Sequence, residues 1–492
     1  MAMVKWIVRF FPEMMIKGPA VKKRMVHQLY QNLQRLMAKR AIDAKLQRFS
    51  DKLELYCDAS QMTACRQLLA QTPGVDQFYE AVQYRHPGLT ERQPSSEVMR
   101  WVSQKTLDHW GPLIQGHTFA VRVKRTGQHG FSSAEVEREV GQCLLRHAQP
   151  KKVDLNHPER TVYLELHEQT LNVVVRKHSG MGGFPIGSQD AALSLISGGF
   201  DSTVASYLSL RRGVKTHYVF FNLGGAAHET GVKQMAWHLW STYGASHSAQ
   251  FVTVDFLPVV KALFETIHES YLGVMLKRLM LQVSEKVAEQ LGVQALVSGE
   301  AIGQVSSQTL KNLNVLDQSI DLLVLRPLAL MDKSEIVSLS QQIHTRRLAE
   351  TMPEYCGVIS KNPVVNASRA RIEKEAARLP PGLVDQAVAE AETLPVASII
   401  ADIKQTQAVA VVQTKAPGDW VIDIRAPDQA QAAPCAQCDA QVPFYHLVSQ
   451  IKQQPQARRY LLYCEHGVMS QLHAQRLHDL GMTQVQVFRP IE

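Results

Sequence analysis

The sequence predicts a multidomain protein of mixed α/β and α+β class, and three observations support this prediction. Its 492 residues are enough for several independent hydrophobic cores. Between residues 190 and 350, short apolar strands alternate with helices, which is typical of a largely parallel sheet with helices on both faces. Smaller strand-and-helix patterns precede and follow that segment, so we expect α+β units before it and a last α/β unit after it.

Changes in these patterns divide the chain into five predicted segments. Their bounds are 1–70, 71–177, 178–370, 371–404 and 405–492. The first two are α+β units, the third is the parallel-sheet core, the fourth is a charged helical linker, and the fifth is the small α/β unit. Prolines at 380, 381 and 395 punctuate the linker.

Two helices of the N-terminal region carry specific signals. In the first segment, Met25, Leu29, Leu33 and Leu36 recur at helical spacing opposite a face rich in Lys and Arg. In the second segment a helix is expected to begin at Ser132–Ser133, with Glu135 in position to complete a cap.

Composition excludes several classes of protein. No stretch approaches the run of about 20 apolar residues that a membrane span needs. The apolar N-terminus is interrupted by Lys5, Arg9, Glu13 and Lys17, so it lacks the uninterrupted core of a secretory signal. An odd count of 7 cysteines in so long a chain is not a disulfide framework. We therefore expect a cytoplasmic protein whose working cysteines, if any, are thiols, metal ligands or transient redox partners.

The positive charge is concentrated in the first third of the chain. Residues 1–180 hold 27 Lys and Arg against 17 Asp and Glu, a net charge of +10, whereas the whole chain carries +8. Such a distribution predicts a module that holds a polyanion, the alternative being a solvated basic surface without a partner.

The segment LSLISGGFDSTVASYL (193–208) predicts a phosphate site. An apolar strand ends there in Ser197, Gly198 and Gly199, and a helix follows with Asp201 and Ser202 in its first turn. Glycines let the backbone approach an anion closely, and the helix end supplies N–H groups and a positive dipole. Asp201 is explained if a Mg²⁺ ion lies between its carboxylate and the phosphates.

This turn is not a P-loop, because the G-x-x-x-x-G-K-[ST] pattern is absent. It resembles the S-G-G-x-D-S loop of the N-type ATP pyrophosphatases. That resemblance implies cleavage of ATP between its α- and β-phosphates, with adenylation of a substrate oxygen.

Two further strand ends are expected to converge on the same crevice, since ligands of open parallel sheets lie beyond the carboxyl ends of the strands. One carries Gly299, Glu300 and Gln308, where Gly299 would allow close approach of adenine or ribose and Gln308 would hydrogen-bond it. The other precedes Lys333, which either neutralises phosphate or is a surface lysine. Lys277, on an apolar helix, either reaches the site or extends away from it into solvent.

Several segments together resemble the tRNA 4-thiouridine synthetases, also called tRNA sulfurtransferases and linked to thiamine biosynthesis. They are NLGGAAHE (222–229), VSGEAIGQVSSQT (297–309), LRPL with DKSEI, TMPEYCGVIS (351–360) and CEHGVMS (464–470). The resemblance covers essentially the entire chain. It implies a ferredoxin-like domain and a THUMP tRNA-binding domain in the N-terminal third, FAVRVKRTGQHGFSS matching the THUMP strand and loop. It also implies a pyrophosphate-loop ATPase core and a C-terminal rhodanese-like domain.

The resemblance also implies roles for individual residues. Those that would contact ATP are Leu195, Ile196, Lys277, Gly299 and Gln308. Asp201 and Lys333 would matter for adenylation. Cys464 would carry a persulfide and Cys356 would resolve the adduct, leaving a Cys356–Cys464 disulfide that must be reduced before the next turnover.

The residues around Cys464 fit a sulfur site even without the family resemblance. An apolar strand precedes Cys464 and a helix is expected from Ser470, so the intervening N–H groups can surround one sulfur and stabilise a thiolate or persulfide. Without the resemblance a buried structural cysteine is as good a reading. Many rhodaneses carry Arg in this loop, whereas this chain has Glu465 and His466, so a protein sulfur donor is favoured over free thiosulfate.

The reaction so implied is ATP-dependent transfer of sulfur to C4 of a tRNA uridine, at position 8 by resemblance. Either the persulfide attacks directly or Cys356 first frees sulfide. The implied partners are tRNA, a cysteine desulfurase and the sulfur-carrier protein of thiazole synthesis; a homodimer is compatible with the sequence. The alternative is a tRNA-binding protein or chaperone with a residual ATP site.

The remaining cysteines and histidines predict no metal site. Cys435 and Cys438 form a C-x-x-C, which is either a redox or metal half-site or a neutral loop, and the neutral loop is favoured. Cys57, Cys65 and Cys143 are expected in the core, and His228 is expected to be structural.

Overall fold

The computed structural model describes most of the chain. The described residues are 3–91, 96–223, 225–350, 352, 362–406, 409–425, 430, 434–442, 447–453, 459–464, 470, 473–474, 477–478 and 481–490. The chain divides into two units, Met1–Ser188 with Arg211–Gly213, and Gln189–Leu210 with Val214–Glu492.

The strands and helices alternate along both units. The strands are β1 Met3–Phe10, β2 Ala44–Arg48, β3 Lys52–Asp58, β4 Val75–Arg85, β5 Thr118–Thr126, β6 Lys152–Val153, β7 Arg160–His167, β8 Thr170–Ser179, β9 Ala191–Leu195, β10 Lys215–Asn222, β11 Gln250–Asp255, β12 Ala295–Val297, β13 Leu323–Leu325, β14 Glu392–Pro395, β15 Val411–Val412, β16 Asp419–Asp423, β17 Ala440–Gln441, β18 Arg459–Tyr463 and β19 Val485–Phe488. The helices are α1 Pro12–Met15, α2 Pro19–Lys39, α3 Met62–Ala70, α4 Ser96–Ile114, α5 Ser133–His147, α6 Phe200–Arg211, α7 Gly225–Leu239, α8 Leu257–Thr266, α9 Leu272–Leu291, α10 Leu310–Asp317, α11 Lys333–Gln342, α12 Arg346–Ala349, α13 Arg369–Ala376, α14 Leu383–Ala389, α15 Ile399–Thr406 and α16 Leu447–Gln453.

One eight-stranded sheet runs through the whole first unit. Its strand order is β2-β3-β1-β4-β8-β7-β5-β6. The central strand β4 pairs antiparallel with β1 on one side and with β8 on the other. The segments predicted as 1–70 and 71–177 therefore share a continuous hydrogen-bonded sheet, because β4 belongs to both ladders.

Both helix signals of the N-terminal region are confirmed. Met25, Leu29, Leu33 and Leu36 of α2 are buried. Ser132 caps α5: its side chain accepts a hydrogen bond from Glu135 N–H, and the Glu135 carboxylate accepts one from Ser132 N–H. The apolar spacing of α2 and the capping box of α5 are local features, so tertiary context was not needed to find them.

The core of the second unit is a six-stranded sheet of order β13-β12-β9-β10-β11-β14. All of its pairings are parallel except that of β14 with β11. β9 lies between β10 and β12, so the chain moves outward in both directions from β9. That reversal opens a crevice at the carboxyl ends of β9 and β12, where ligands of such sheets bind.

The segment 371–404 differs from the predicted helical linker. It contains α13, α14 and the start of α15, but Glu392–Pro395 form the edge strand β14. Leu394 pairs with Phe251 of β11. Proline is tolerated there because some N–H positions of an edge strand have no partner strand to pair with. The strand was not predicted because proline is depleted in strands.

A second, smaller sheet of five parallel strands lies near the C-terminus, in the order β15-β19-β18-β16-β17. Its central strands are buried on both faces, as Val421 and Ile422 illustrate with no exposed surface. This pattern is typical of an α/β unit, as the sequence predicts, although the two-residue strands β15 and β17 were not foreseen.

Across the described part of the chain, no helix is both long enough and apolar enough to cross a membrane.

Candidate functional site

The turn between β9 and α6 has the geometry that its sequence predicts. Gly198 has a φ of +81°, a conformation that a side chain would strain. Ser202 Oγ accepts a hydrogen bond from Ser197 N–H at 3.1 Å and lies 3.0 Å from Ser197 Oγ. Thr203 Oγ1 donates to Gly199 O at 2.7 Å. These bonds hold the loop against the first turn of α6, and the N–H groups of a helix N-terminus suit an anion.

Asp201 and Lys333 come together, although 132 positions separate them in sequence. Lys333 Nζ donates to Asp201 Oδ1 at 2.7 Å and to Oδ2 at 3.0 Å. Lys333 is the first residue of α11, as predicted. Gln304 Nε2 donates to Asp201 Oδ2 at 2.8 Å. Gln304 was not among the predicted site residues. The only feature of the sequence that pointed to it was its place in the loop after β12.

Lys277 belongs to a buried ion network rather than to a free surface. Lys277 Nζ donates to Glu300 Oε1 at 2.6 Å, and Arg326 Nε donates to Glu300 Oε2 at 2.9 Å. Arg326 also donates to both carboxylate oxygens of Asp317, at 2.9 and 2.6 Å. Burial alone would raise the pKa of Glu300, but Lys277 and Arg326 outweigh it and hold that pKa below its usual value. Glu300 therefore stays ionised and orients both cations. Lys277 and Glu300 were among the residues expected at this crevice, whereas Arg326 and Asp317 were not.

Gly299 lies against the helix end rather than in open space. A Cβ atom there would lie 2.5 Å from Ser202 N and 2.6 Å from Asp201 C, both main-chain atoms of α6. From the sequence, Gly299 was expected to let the adenine or ribose of a nucleotide approach the backbone closely. The structure gives it a further reason, which is that β12 and α6 pack without room for a methyl group.

Replacing Gly299 with alanine is expected to lower the free energy of unfolding of the second unit by about 3 kcal/mol, because main-chain atoms must move to admit the methyl group. Differential scanning calorimetry measures the change. Gly141→Ala in α5 is the matched control: nothing lies within 4 Å of its Cβ position, so no loss is expected. Equal melting of Gly299→Ala and the wild type would contradict this packing.

The other predicted nucleotide contacts lie around the same turn. Ile196 is buried and its N–H donates to Val219 O at 2.9 Å, while Leu195 is half-buried at the end of β9. Gln308 N–H donates to Val305 O, and its buried Oε1 has no hydrogen-bond partner within the described part of the chain. His228 Nε2 lies 3.3 Å from Ser197 O, and burial lowers the pKa of His228, which suits the structural role expected for it.

Cys464 lies at the carboxyl end of β18. Its side chain is only 7% exposed, and its Sγ accepts a hydrogen bond from Ser470 N–H at 3.3 Å and lies 3.4 Å from Ser470 Oγ. Ser470 is helical, as predicted. A main-chain N–H and a hydroxyl directed at one sulfur can stabilise negative charge on it.

The other cysteines are found in varied settings. Cys356 lies outside the described residues. Cys57 and Cys65 are buried, as predicted, whereas Cys143 is only half-buried and Cys435 and Cys438 are partly exposed.

Known sequences and structures resemble this chain over most of its length. The sequence model of the thiamine biosynthesis protein (ThiI) family matches residues 187–380, and that of the THUMP domain matches residues 104–176. A tRNA sulfurtransferase of Edwardsiella ictaluri is 43% identical over 495 residues, covering 99% of this chain and 100% of the relative. One from Yersinia enterocolitica is 43% identical over 502 residues with the same coverage.

Two solved structures share the fold. The complex of a 4-thiouridine synthetase with RNA and bound ATP has a TM-score of 0.68 and 24% identity, covering 80% of this chain and 99% of that chain. The protein PH1313 from Pyrococcus horikoshii has a TM-score of 0.52 and 16% identity, covering 69% of this chain and 99% of that one.

Proposed function

This chain belongs to the tRNA sulfurtransferase family, and from this premise we propose that it uses ATP to replace O4 of a tRNA uridine with sulfur, at position 8. The observation that carries the ATP-dependent part is the meeting of Asp201 and Lys333 at the start of α6. A pyrimidine carbonyl oxygen is a poor leaving group, and adenylation converts it into AMP, which is a good one.

The turn and the two strand ends would hold the nucleotide. In this proposal Ser197, Gly198, Gly199 and Ser202 surround the phosphates, and Lys333 neutralises charge as pyrophosphate leaves. The base and ribose are assigned to the residues at the neighbouring strand ends. They are Leu195, Ile196, Lys277, Gly299 and Gln308. The unpartnered Oε1 of Gln308 supports its share of this role, because it can accept a hydrogen bond from an adenine amino group.

Mg²⁺ fits the chemistry of Asp201, whose carboxylate is 24% exposed beside the phosphate turn. One carboxylate with phosphate oxygens is a common way to bind Mg²⁺, which supplies charge neutralisation at the phosphates. Lys333 and Gln304 donate hydrogen bonds to the oxygens of Asp201, and we propose that Lys333 turns to the phosphates when ATP binds.

Cys464 would deliver the sulfur as a persulfide. Its terminal sulfur replaces the adenylated oxygen at C4, AMP leaves, and the sulfur–sulfur bond is cleaved by Cys356 to give a Cys356–Cys464 disulfide. Alternatively, Cys356 releases sulfide that attacks C4, with the same disulfide as the product. The hydrogen bonds with Ser470 support this role, because they stabilise the Cys464 thiolate that must attack the donor's persulfide to take up sulfur.

A contact near Cys356 supports its share in the chemistry. Met352, four positions earlier in the sequence, packs against the phosphate turn. Its Cγ lies 3.0 Å from the Cβ position of Gly198, and its Sδ lies 3.3 Å from that position. Met352 is thus placed beside the turn at which AMP would form.

The first unit would hold the tRNA. Besides its positive charge, it has a pocket of about 520 Å³, lined by Tyr79, Tyr163, Arg9 and Arg122 among others. Arg9 and Lys177 lie 5.8 and 5.3 Å from the centre of the Tyr79 ring. Aromatic rings flanked by cations are suited to unpaired bases and their phosphates.

Replacing Tyr79 with alanine is therefore expected to weaken tRNA binding about tenfold, the value of one lost base stack. Fluorescence anisotropy with labelled tRNA at fixed salt measures this change. Tyr79→Phe is the matched control: it keeps the ring and loses only the hydroxyl, which donates to Gln77 at 3.0 Å. Unchanged affinity of Tyr79→Ala would remove this pocket from the tRNA site.

Reconstitution tests the proposed function as a whole. The purified chain is given tRNA, ATP with Mg²⁺, a cysteine desulfurase and cysteine, and the tRNA nucleosides are analysed by mass spectrometry. We expect 4-thiouridine at position 8 with matching release of AMP and pyrophosphate. Binding of tRNA without release of AMP and without thiolated nucleoside would favour the RNA-binding alternative.

The name of the matching family, thiamine biosynthesis protein, supports a second role in thiamine synthesis. We propose that the persulfide sulfur of Cys464 also passes to an adenylated sulfur-carrier protein, from which AMP leaves. In cells lacking the natural gene, an Asp201→Asn chain should then restore thiamine-free growth without thiolating tRNA. A Cys464→Ser chain should restore neither.

The finer domain assignments and partners are part of the same proposal. We assign residues 1–70 to a ferredoxin-like domain, 71–177 to the THUMP domain, 178–370 to adenylation and 405–492 to a rhodanese-like domain, with 371–404 between the last two. The five-stranded parallel sheet supports the rhodanese-like assignment, because Cys464 directly follows its strand β18. We also propose that a cysteine desulfurase supplies the sulfur, that the protein is located in the cytoplasm and that it forms a homodimer.

A further inference from the structure

Cys435 and Cys438 are positioned to close a disulfide. Cys438 N–H donates to Cys435 O at 3.3 Å, which makes the C-x-x-C segment a tight turn. Such a turn brings the first and fourth Cα atoms within about 7 Å, the range in which disulfides form. Both cysteine side chains are partly exposed, so a redox partner can reach them.

The pair flanks the end of the strand that carries Cys464. Cys438 packs with Tyr463 on one face of the C-terminal sheet, against Val421 and Leu461. Tyr463 is followed directly by Cys464, whose side chain belongs to the core on the other face. The register of β16 with β18 sets Asp423 opposite Tyr463. The dithiol and Cys464 are thus separated by the carboxyl end of one strand.

The two thiols are not equivalent. Burial raises the pKa of Cys438, and its hydrogen bond with Cys435 raises that pKa further, while Arg425 opposes the change. Arg425 is held by both carboxylate oxygens of Asp423 and lies 5.1 Å from the centre of the Tyr463 ring. A thiol with a raised pKa is a poorer source of the attacking thiolate, so we assign the first attack to Cys435.

A metal site is the competing explanation of a C-x-x-C. Structural zinc needs four ligands, and this motif offers two. Within the described ranges, no group of three or more His, Cys, Asp or Glu side chains is arranged to hold a metal ion. Redox chemistry is the explanation that needs only the two sulfurs.

We propose that the Cys435–Cys438 dithiol reduces the Cys356–Cys464 disulfide left after each sulfur transfer, an inference that rests on the proposed function. The Cys435 thiolate attacks the sulfur of Cys464, a mixed disulfide forms, and Cys356 leaves as a thiolate. Cys438 then attacks Cys435, closes the new disulfide and releases the Cys464 thiolate. Two electrons and two protons pass from one pair to the other, and an external dithiol protein of the thioredoxin class reduces the Cys435–Cys438 disulfide.

Counting turnovers without an external reductant tests this inference. The fully reduced full-length chain, freed of reductant, is given excess tRNA, ATP, desulfurase and limiting cysteine. The wild type should form about two thiouridines per chain, because its second dithiol restores the active cysteines once. The Cys435→Ser/Cys438→Ser double variant should stop at about one, and added dithiothreitol should restore its continued turnover.

Controls separate this result from a folding defect or from failure of the proposed function. Cys143→Ser removes a half-buried thiol of α5 and should still give about two thiouridines. Peptide mapping after alkylation should find the Cys435–Cys438 disulfide in the spent wild type and the Cys356–Cys464 disulfide in the double variant. Equal yields from wild type and double variant, with a normal first turnover, would overturn the dithiol role alone. If the wild type forms no thiouridine, the proposed function fails and this inference with it.

Discussion

Cys464→Ser is expected to reduce thiouridine formation by at least about 1,000-fold while tRNA-dependent pyrophosphate release continues. A serine hydroxyl cannot accept a persulfide sulfur, so no sulfur reaches the base. Adenylation is spared because the residues proposed for it lie on or beside β9, α6 and α11, whereas Cys464 follows β18 of the separate five-stranded sheet. Serine is nearly isosteric with cysteine and can accept the hydrogen bond from Ser470 N–H, which in the wild type is 3.3 Å long.

The measurement is a single-turnover assay that follows pyrophosphate by a coupled enzyme and thiouridine by mass spectrometry. Cys143→Ser serves as the matched control, since it makes the same substitution at a half-buried thiol outside the proposed site. Normal thiolation by Cys464→Ser would refute the sulfur route. Loss of both pyrophosphate and thiouridine would instead show that Cys464 matters for adenylation.

Asp201→Ala is expected to slow pyrophosphate release by about 100- to 1,000-fold, the usual effect of removing one charge-stabilising group from a reacting centre. Its carboxylate holds Lys333 Nζ at 2.7 and 3.0 Å and Gln304 Nε2 at 2.8 Å. Lys333→Ala should have an effect of similar size. The double variant should be little worse than either single one, because the two side chains act as a unit.

Asp385→Asn is the matched control for the acidic side chain. Asp385 pairs with Lys286 at 2.8 Å on the surface, with 71% of its side chain exposed, and exposed pairs contribute little. It should adenylate at the wild-type rate. Full additivity of the Asp201 and Lys333 effects would mean that the two groups act at separate steps, and wild-type rates in both single variants would exclude this turn from catalysis.

Local features of the fold were predictable to within a few residues. The helix expected to begin at Ser132–Ser133 is α5, Ser133–His147, and the strand expected in FAVRVKRTGQHGFSS is β5, Thr118–Thr126. Each has a strong local signal, a capping box in one case and a run of β-favouring residues in the other. β14 was missed because its stability comes from pairing with β11, whose nearest paired residue lies more than a hundred positions away.

The residues of the candidate site also differ in whether they could be predicted from the sequence. Asp201 and Lys333 could be found from their own surroundings, each being near the start of a helix that follows a strand. Gln304 and Arg326 could not, because they matter through the partners that they meet, Asp201 in one case and Glu300 in the other.

The order of amino acids by itself determined the alternation of strands and helices, the phosphate turn, the burial of the apolar face of α2 and the cap of α5. These features depend on interactions between residues a few positions apart, which are present in any window of the chain. Only the tertiary structure decided that β4 joins the two N-terminal segments into one sheet, that Glu300 is paired between Lys277 and Arg326, and that Gly299 lies against α6. Those outcomes depend on which strands become neighbours, and strand pairing is a property of the whole sheet rather than of any one segment.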